Sequence, residues 1–220
     1  GDLKSMFDVG GAFEKALIAT AVSEGWEISQ FLDQSREKTE KMLEHAKQNG
    51  QEYIFWRETR DKTGKPRLGV LNPLAIEHLT KYLAVRREQE KKNPPKPIEE
   101  IQDKRYKIDY SDMLFPITSD GVQKMLYRLA REANLAVTGK VRFHNIRKWL
   151  MSRLSRSSFK EFQIKFIMGK GIPVSDSTYL QTLQGDIEEK YPKVYNDYLN
   201  INPILGSEVA KKQHEELLET

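Results

Sequence analysis

Apolar side chains recur every three or four residues through the first fifty positions, with an interruption at Gly25. The ones that share a helical face are Phe13, Leu17, Ile18 and Ala21, and then Ile28, Phe31 and Leu32. Spacing of this kind buries one stripe of a helix and leaves the opposite face polar. Residues 12–49 are therefore predicted to form two or three helices.

The apolar pattern then changes to short β-prone runs. Residues 53–56 and 68–71 are such runs, and Thr63, Gly64 and Pro66 between them are typical of a turn. This arrangement predicts a small β-hairpin with basic residues at its tip.

Helical spacing returns after the hairpin. A helix is predicted from Pro73 to Val85, because proline fits the first helical turn. Residues 86–109 are rich in charge and proline, which predicts a surface loop or insertion. Residues 119–134 are again predicted to be helical, with Ser119 as the N-cap. The fold class is thus mainly α with a small β-hairpin or sheet, an α+β fold.

The segment after residue 142 carries candidate chemistry. An amphipathic helix is predicted to begin at Phe143, and its buried stripe consists of Ile146, Leu150 and Leu154. His144 and Arg147 are three residues apart, so both lie on one adjoining face. A guanidinium can grip two phosphate oxygens while an imidazole donates to a third. The alternative is a helix-capping histidine beside a surface arginine.

A second helix is predicted to follow, starting at a capping box at Ser158 and ending at Gly169. The chain then turns through Lys170. Ser175 or Asp176 can cap a third, short helix that carries Tyr179. Taken alone, a tyrosine at this position is also explained as a half-buried packing residue.

Composition narrows the function classes. The 220 residues are 38% hydrophobic, which is enough for one ordinary domain, and no apolar run approaches the length of a membrane span. The chain contains no cysteine, so disulfides and thiolate chemistry are excluded, and its four histidines lack metal-ligand spacing.

Charge is unevenly distributed. Residues 124–170 contain twelve Lys or Arg against two acids, whereas residues 186–220 contain eight acids against four lysines. This distribution favours a polyanionic partner, and the alternative is a solvated basic face.

The order of the features from residue 143 to 180 resembles the second motif box of the tyrosine recombinases, or phage-type integrases. In that family an HxxR helix precedes a connecting helix that ends in glycine, a polar residue, and a tyrosine nine positions later. The matching residues are His144, Arg147, Gly169, Lys170 and Tyr179. The hairpin tip at residues 61–65 resembles the lysine loop of the same family, with Lys62 as the lysine. Residues 114–116 resemble the short segment that usually precedes the helix before HxxR. The resemblance covers residues 10–200, most specifically 143–180, and it implies a catalytic domain at residues 1–200.

The resemblance implies that the Tyr179 hydroxyl attacks a phosphodiester and forms a 3′-phosphotyrosyl link, without ATP, cofactor or metal. Arg147 would stabilise the charge that develops on the phosphate. His144 would assist proton transfer, and Lys62 would be the general acid. Lys170 stands where the family more often has His or Trp, and it can still donate to a phosphate.

The same resemblance implies a double-stranded DNA partner, self-association as a dimer or tetramer on DNA, a mobile-element role in recombination or integration, and no membrane. Its expected location is the cytoplasm, at the nucleoid, or the interior of a host cell. The basic residues expected to contact DNA are Lys65, Arg67, Lys140, Arg142, Lys148 and Arg153. Residues 201–220 are expected to form a tail with a helix, either exchanged between protomers or packed on its own domain. The family's N-terminal DNA-clamping domain has no counterpart in these residues, which suggests a fragment.

The first motif box departs from the family pattern. The family has Gly, an apolar residue, Arg, another apolar residue and a Ser-Glu pair, whereas residues 25–30 read Gly-Trp-Glu-Ile-Ser-Gln. Glu27 therefore stands where the first phosphate-clamping arginine is expected. Three explanations remain open: an inactivating change, charge supplied by another cation (Arg57, Arg60 or Arg36), or a different placement of the box. We favour a weakened or divergent enzyme, and the alternatives are a catalytically inactive DNA-binding module and a helical protein-interaction domain.

Overall fold

The computed structural model of the chain describes residues 2–60, 64–93, 111–136, 141–170 and 177–201. The elements before the loop at residue 93 are α1 (Asp2–Val9), α2 (Ala12–Glu24), α3 (Ile28–Leu32), α4 (Arg36–Gln48), β1 (Ile54–Arg60), β2 (Lys65–Leu71) and α5 (Pro73–Lys92). The later ones are α6 (Ser119–Glu132), α7 (Phe143–Leu154), α8 (Glu161–Ile167) and α9 (Ser177–Val194), followed by a π-helical turn at Tyr195–Leu199. The predicted α+β class is confirmed as a mainly helical chain with a two-stranded antiparallel sheet.

Helix α2 is at the centre of the core. Every residue from Ala16 to Glu24 is buried, and the helix packs against α1, α5, α7 and β2. A helix that is enclosed on all sides has no polar face to present to solvent. Ser23 fastens it to the sheet, because its hydroxyl donates to the Val70 carbonyl (2.7 Å) and accepts from the Asn72 N–H (2.9 Å).

The predicted hairpin is formed by β1 and β2, with Trp56 paired to Gly69 and Glu58 paired to Arg67. The indole of Trp56 lies directly across Gly69. A Cβ atom at Gly69 would be 2.2 Å from Cε2 of Trp56, which no real side chain tolerates. Gly69 therefore allows the indole to reach Trp26, whose ring centroid is 5.7 Å away.

Replacing Gly69 by alanine is expected to lower the free energy of unfolding by about 1–3 kcal/mol, because the added methyl displaces the Trp56 ring. Gly185→Ala is the matched control. A Cβ there meets nothing within 4 Å, so the helix interior should gain about 0.5–1 kcal/mol. Urea denaturation measures both changes, and equal effects at the two positions would contradict the Trp56 contact.

Helix α5 starts at Pro73 as predicted but continues to Lys92, beyond Val85. The extension is explained by Arg86, a buried side chain that donates to the Met113 carbonyl at 2.7 Å and pairs with Glu90 at 2.7 Å. These contacts hold the additional turns against residues 111–115. The remainder of the predicted loop, residues 94–109, lies outside the described residues, as does the predicted tail at residues 201–220 apart from its first residue.

Several predicted helix ends shift by one or two residues. The N-cap of α6 is Thr118, whose hydroxyl accepts from the Gly121 N–H, and not Ser119. Helix α7 begins at Phe143 as predicted. Helix α8 begins at Glu161 and not after Ser158, with the Gln163 side chain accepting from the Lys160 N–H at 2.9 Å.

The C-terminal helices explain how Tyr179 is presented. Helix α8 ends just before Gly169, as predicted. Helix α9 is long, in contrast to the short helix expected, because Leu183, Ile187 and Tyr191 supply a continuous buried stripe. None of the described helices has the length and apolar character that crossing a membrane requires.

Candidate active site

Arg147 joins three parts of the chain at one point. It is 8% exposed, and its guanidinium donates to the carbonyl of Gly25 and, at 2.7 Å, to the carbonyl of Met168. Gly25 ends α2 and Met168 ends α8, so one side chain from α7 binds the C-terminal ends of two other helices. Cations are favoured at such ends, where carbonyls lack helical partners.

Gly25 is required where these three helices meet. Its φ of +60° is in the left-handed region, and a Cβ there would be 2.5 Å from Cδ2 of Leu150. A side chain at residue 25 would therefore displace Leu150, which lies on the same helix as Arg147. Glu27 follows two residues later, partly buried, as the N-cap of α3. The structure thus places the predicted first box against the HxxR helix.

The other residues of the predicted second box are exposed. His144 projects from α7, and Tyr179 is 42% exposed near the start of α9. The Tyr179 hydroxyl has no hydrogen-bond partner among the described residues. Lys170 follows the turn at Gly169, and its ammonium lies 3.1 Å from the Sδ atom of Met151 on α7. Arg147 thus contacts the first box through Gly25, and Lys170 contacts α7 through Met151. The described contacts do not join Tyr179 or His144 to either residue.

Arg67 is buried beneath the first box. The side chain is 5% exposed, and its guanidinium carbon lies 3.5 Å from the centroid of the Trp26 ring. It donates to Gln30 and to Glu58, both at 2.8 Å. Arg67 was predicted to contact DNA, but in this conformation its charge is held inward by Glu58. The hairpin register sets Glu58 directly opposite Arg67, and opposite charges at facing positions of paired strands attract each other.

Glu24 is a fully buried carboxylic acid in the same region, and its role was not predicted from the sequence. Its Oε2 accepts from Gln34 at 2.8 Å, while Oε1 has no partner among the described residues. Burial raises the pKa of Glu24 well above 4.5, and this effect outweighs the opposing influence of Arg67 and Gln34. Removal from water disfavours the charged form.

The raised pKa of Glu24 gives the fold a pH dependence. The folded chain binds a proton that the unfolded chain releases near pH 4.5, so the stabilisation is complete below that pH. It is lost as the pH rises through the higher folded pKa. Glu24→Gln is expected to flatten this decline in the free energy of unfolding, measured by urea denaturation from pH 4.5 upwards. Glu188→Gln is the control: its carboxylate also accepts from a glutamine, Gln184, but is only partly buried. An unchanged pH profile for Glu24→Gln would contradict the assignment.

The basic side chains in and next to α7 and α8 are mostly without ion pairs to described residues. On α1, α4 and α5, several lysines pair with acids three or four residues away, as in Lys4–Asp8 and Lys91–Glu88. Within residues 142–170, six exposed cations have no ion pair with a described residue: Arg142, Lys148, Arg153, Arg156, Lys160 and Lys170. We call these six residues the basic segment. Unpaired cations attract polyanions.

The remaining predicted contacts are divided between the basic segment, the hairpin and residues outside the described ranges. Arg142 and Arg153 line a groove of about 440 Å³ beside α1, together with Trp149. Lys65 is exposed at the start of β2. The candidate general acid Lys62 and the candidate DNA contact Lys140 lie outside the described residues.

Comparison of the chain with protein-family models, with curated proteins and with solved structures finds no match. The site is therefore interpreted from its own residues.

Two of the cations considered as substitutes for the first-box arginine can be located. Arg36 is held by Glu90 at 2.8 Å and by Glu40 at 3.2 Å. Arg57 is exposed on β1, and the side chain of Arg60 lies outside the description. The described residues also contain no group of three His, Cys, Asp or Glu side chains placed to hold a metal ion.

Proposed function

We propose that this chain is the catalytic domain of a tyrosine recombinase-type enzyme, which cuts and rejoins DNA strands through Tyr179. Its phosphate site would combine Arg147, His144 and Lys170. Activity is weakened by Glu27 at the position expected for the first arginine.

The observation that carries this proposal is the contact between Arg147 and the Gly25 carbonyl, which joins residues 122 positions apart. The sequence pattern requires the first and second boxes to surround one phosphate. If these segments were far apart in the fold, their residues could not bind the same phosphate. Their contact supports the assignment of both boxes, because nothing in the helical periodicity requires it.

In the proposed reaction the Tyr179 oxygen forms a bond to phosphorus while the bond from phosphorus to the 5′ oxygen breaks. The phenol proton is lost to a base, and the leaving 5′ oxygen takes a proton, with Lys62 as the proposed donor. The phosphotyrosyl ester conserves the energy of the broken bond, so the reverse attack by a 5′-hydroxyl rejoins the strand without a cofactor. Arg147 stabilises the negative charge that develops on the phosphate oxygens.

The basic segment supports double-stranded DNA as the partner. Its unpaired cations would replace counterions along the phosphate backbone, which gives affinity that falls steeply with added salt. Such contacts position the duplex and do not read its sequence. Assembly of two or four copies on one DNA and an intracellular location belong to the same proposal.

Glu27 favours a second candidate function, a recombinase-like module that binds DNA without cutting it. A carboxylate about 4 Å from a phosphate oxygen would cost about 4 kcal/mol at an effective dielectric of about 20. An arginine there would contribute about as much in the opposite direction. The chain would then retain its basic segment and lose transition-state stabilisation.

A covalent trapping experiment separates the two functions. The full chain is incubated with a pool of nicked duplexes that carry a randomised core, so that no target sequence is assumed. The nick lets the short fragment after the cut diffuse away, which traps the phosphotyrosyl adduct for detection on a denaturing gel. The enzyme proposal predicts an adduct that disappears in Tyr179→Phe and persists in the control Tyr127→Phe, a partly buried tyrosine on α6.

Absence of any adduct, together with binding that weakens with salt, would exclude the enzyme and support the DNA-binding module. Duplex binding that does not respond to salt would contradict both functions.

A further inference from the structure

Met151 occupies an unusual place for an apolar side chain. It lies on α7 four residues after Arg147 and seven after His144, and therefore on the same face of the helix. Its side chain is 40% exposed, one of the few large apolar residues that the described surface presents to solvent. An apolar residue at this position neither fills the core nor binds phosphate, which calls for another explanation.

The sulfur of Met151 is in direct contact with a cation of the candidate site. The Lys170 ammonium is 3.1 Å from Sδ, although a thioether is only a weak hydrogen-bond acceptor. Lys170 has no ion pair with a described residue. Among the described residues, its ammonium thus contacts only a weak hydrogen-bond acceptor and remains available to a phosphate oxygen.

The other methionines are better protected. Met6, Met125 and Met168 are buried, with Met168 only 1% exposed, and Met42 and Met113 are partly buried. Oxidation of methionine depends on access to sulfur, and the product sulfoxide is polar where the thioether was apolar. A diffusible peroxide would therefore reach Met151 first.

We propose that Met151 is an oxidation site that regulates Lys170. One oxygen atom passes from hydrogen peroxide to the sulfur, which is oxidised by two electrons, and the peroxide leaves as water. The new sulfoxide oxygen is a stronger acceptor than the thioether and lies beside the Lys170 ammonium, so it competes with phosphate for that ammonium. The effect on DNA rests on the proposed function, whereas the oxidation and the capture of Lys170 do not.

The first measurement uses hydrogen peroxide alone. The native full chain is treated with limiting peroxide, and peptide mass spectrometry follows the sulfoxide at each methionine. Met151 is expected to be oxidised at least about tenfold faster than Met168, since access controls the rate. Equal rates at the two positions in the folded chain would overturn the proposal.

The second measurement detects capture of Lys170 without DNA. Lysines are labelled by reductive ¹³C-methylation, and the Lys170 signal is assigned by its absence in Lys170→Arg. Oxidation should shift this signal in the native chain and leave it unchanged in Met151→Leu, which keeps a similar volume but has no sulfur. Oxidation of Met151 without any shift at Lys170 would refute the regulatory contact.

The third measurement is the salt dependence of binding to a fluorescent duplex of random sequence. Loss of one phosphate contact should reduce the slope of log K against log salt by about 0.9, and methionine sulfoxide reductase should restore it. Met151→Leu should not respond to peroxide. A Lys170 shift with no change in slope would overturn the DNA part alone, and an absence of salt-dependent binding in every form would instead contradict the proposed function.

Discussion

Replacing Glu27 by arginine is expected to raise the rate of covalent Tyr179–DNA adduct formation by about 100-fold or more, the scale on which a single donor to a transition-state oxyanion acts. The substitution removes a negative charge near the phosphate and adds a guanidinium that can bind two of its oxygens. Glu27 lies two residues beyond the carbonyl that binds Arg147. A guanidinium there would therefore complete a pair of arginines at one phosphate.

The rate is measured with the nicked duplex recovered from the randomised pool, in single-turnover conditions. Glu27→Gln is the matched control, because it removes the negative charge without adding a positive one and should give an intermediate rate. Glu37→Arg makes the same charge change at an exposed position on α4. If Glu27→Arg and Glu37→Arg change the rate equally, the placement of the first box is wrong.

The buried residues around Arg67 bear on this result. Arg67 is close to the first box through Trp26, yet both of its terminal nitrogens are engaged by Gln30 and Glu58. It can fix the position of Trp26, and its charge is already offset. A substitute for the missing arginine would have to come from a cation whose charge is not offset by an acid, as that of Arg67 is by Glu58. Arg57 is such a cation among the described residues.

Much of the fold could be predicted because its elements follow local rules. The helices around Gly25, the hairpin and the start of α7 at Phe143 each depend on spacing, turn residues or caps within a few positions. The end of α5 could not be predicted in this way. Its additional turns depend on Arg86 bonding to the carbonyl of Met113, which is 27 residues away.

In the candidate site, too, some features follow from the local sequence and others depend on distant contacts. The order of His144, Arg147, Lys170 and Tyr179 is a property of the sequence alone. The environment of each residue depends on distant partners. In the sequence, Arg67 is one more basic residue of a hairpin. Its burial is explained by its contact with the Trp26 ring and its ion pair with Glu58.

Replacing Arg147 by methionine is expected to lower the free energy of unfolding by about 2–5 kcal/mol, because each of two buried carbonyls loses a donor at about 1–3 kcal/mol. The carbonyls are those of Gly25 and Met168. Methionine keeps much of the side-chain volume and removes every N–H donor. The loss of stability measures how far the assembly of the site depends on Arg147, separately from the charge that Arg147 supplies.

Two controls separate assembly from chemistry. Arg153→Met removes an exposed arginine of the same helix, whose guanidinium carbon lies 5.4 Å from the centroid of the Trp149 ring. This substitution should change the free energy of unfolding by less than about 0.5 kcal/mol. Arg147→Lys keeps a positive charge but cannot present two parallel N–H groups, so it should recover part of the stability. Adduct formation is then assayed well below the melting temperature of each variant. If Arg147→Met keeps the native stability, the contact with the two carbonyls is refuted. If Arg147→Lys folds and forms adducts at the native rate, the guanidinium serves assembly and not catalysis.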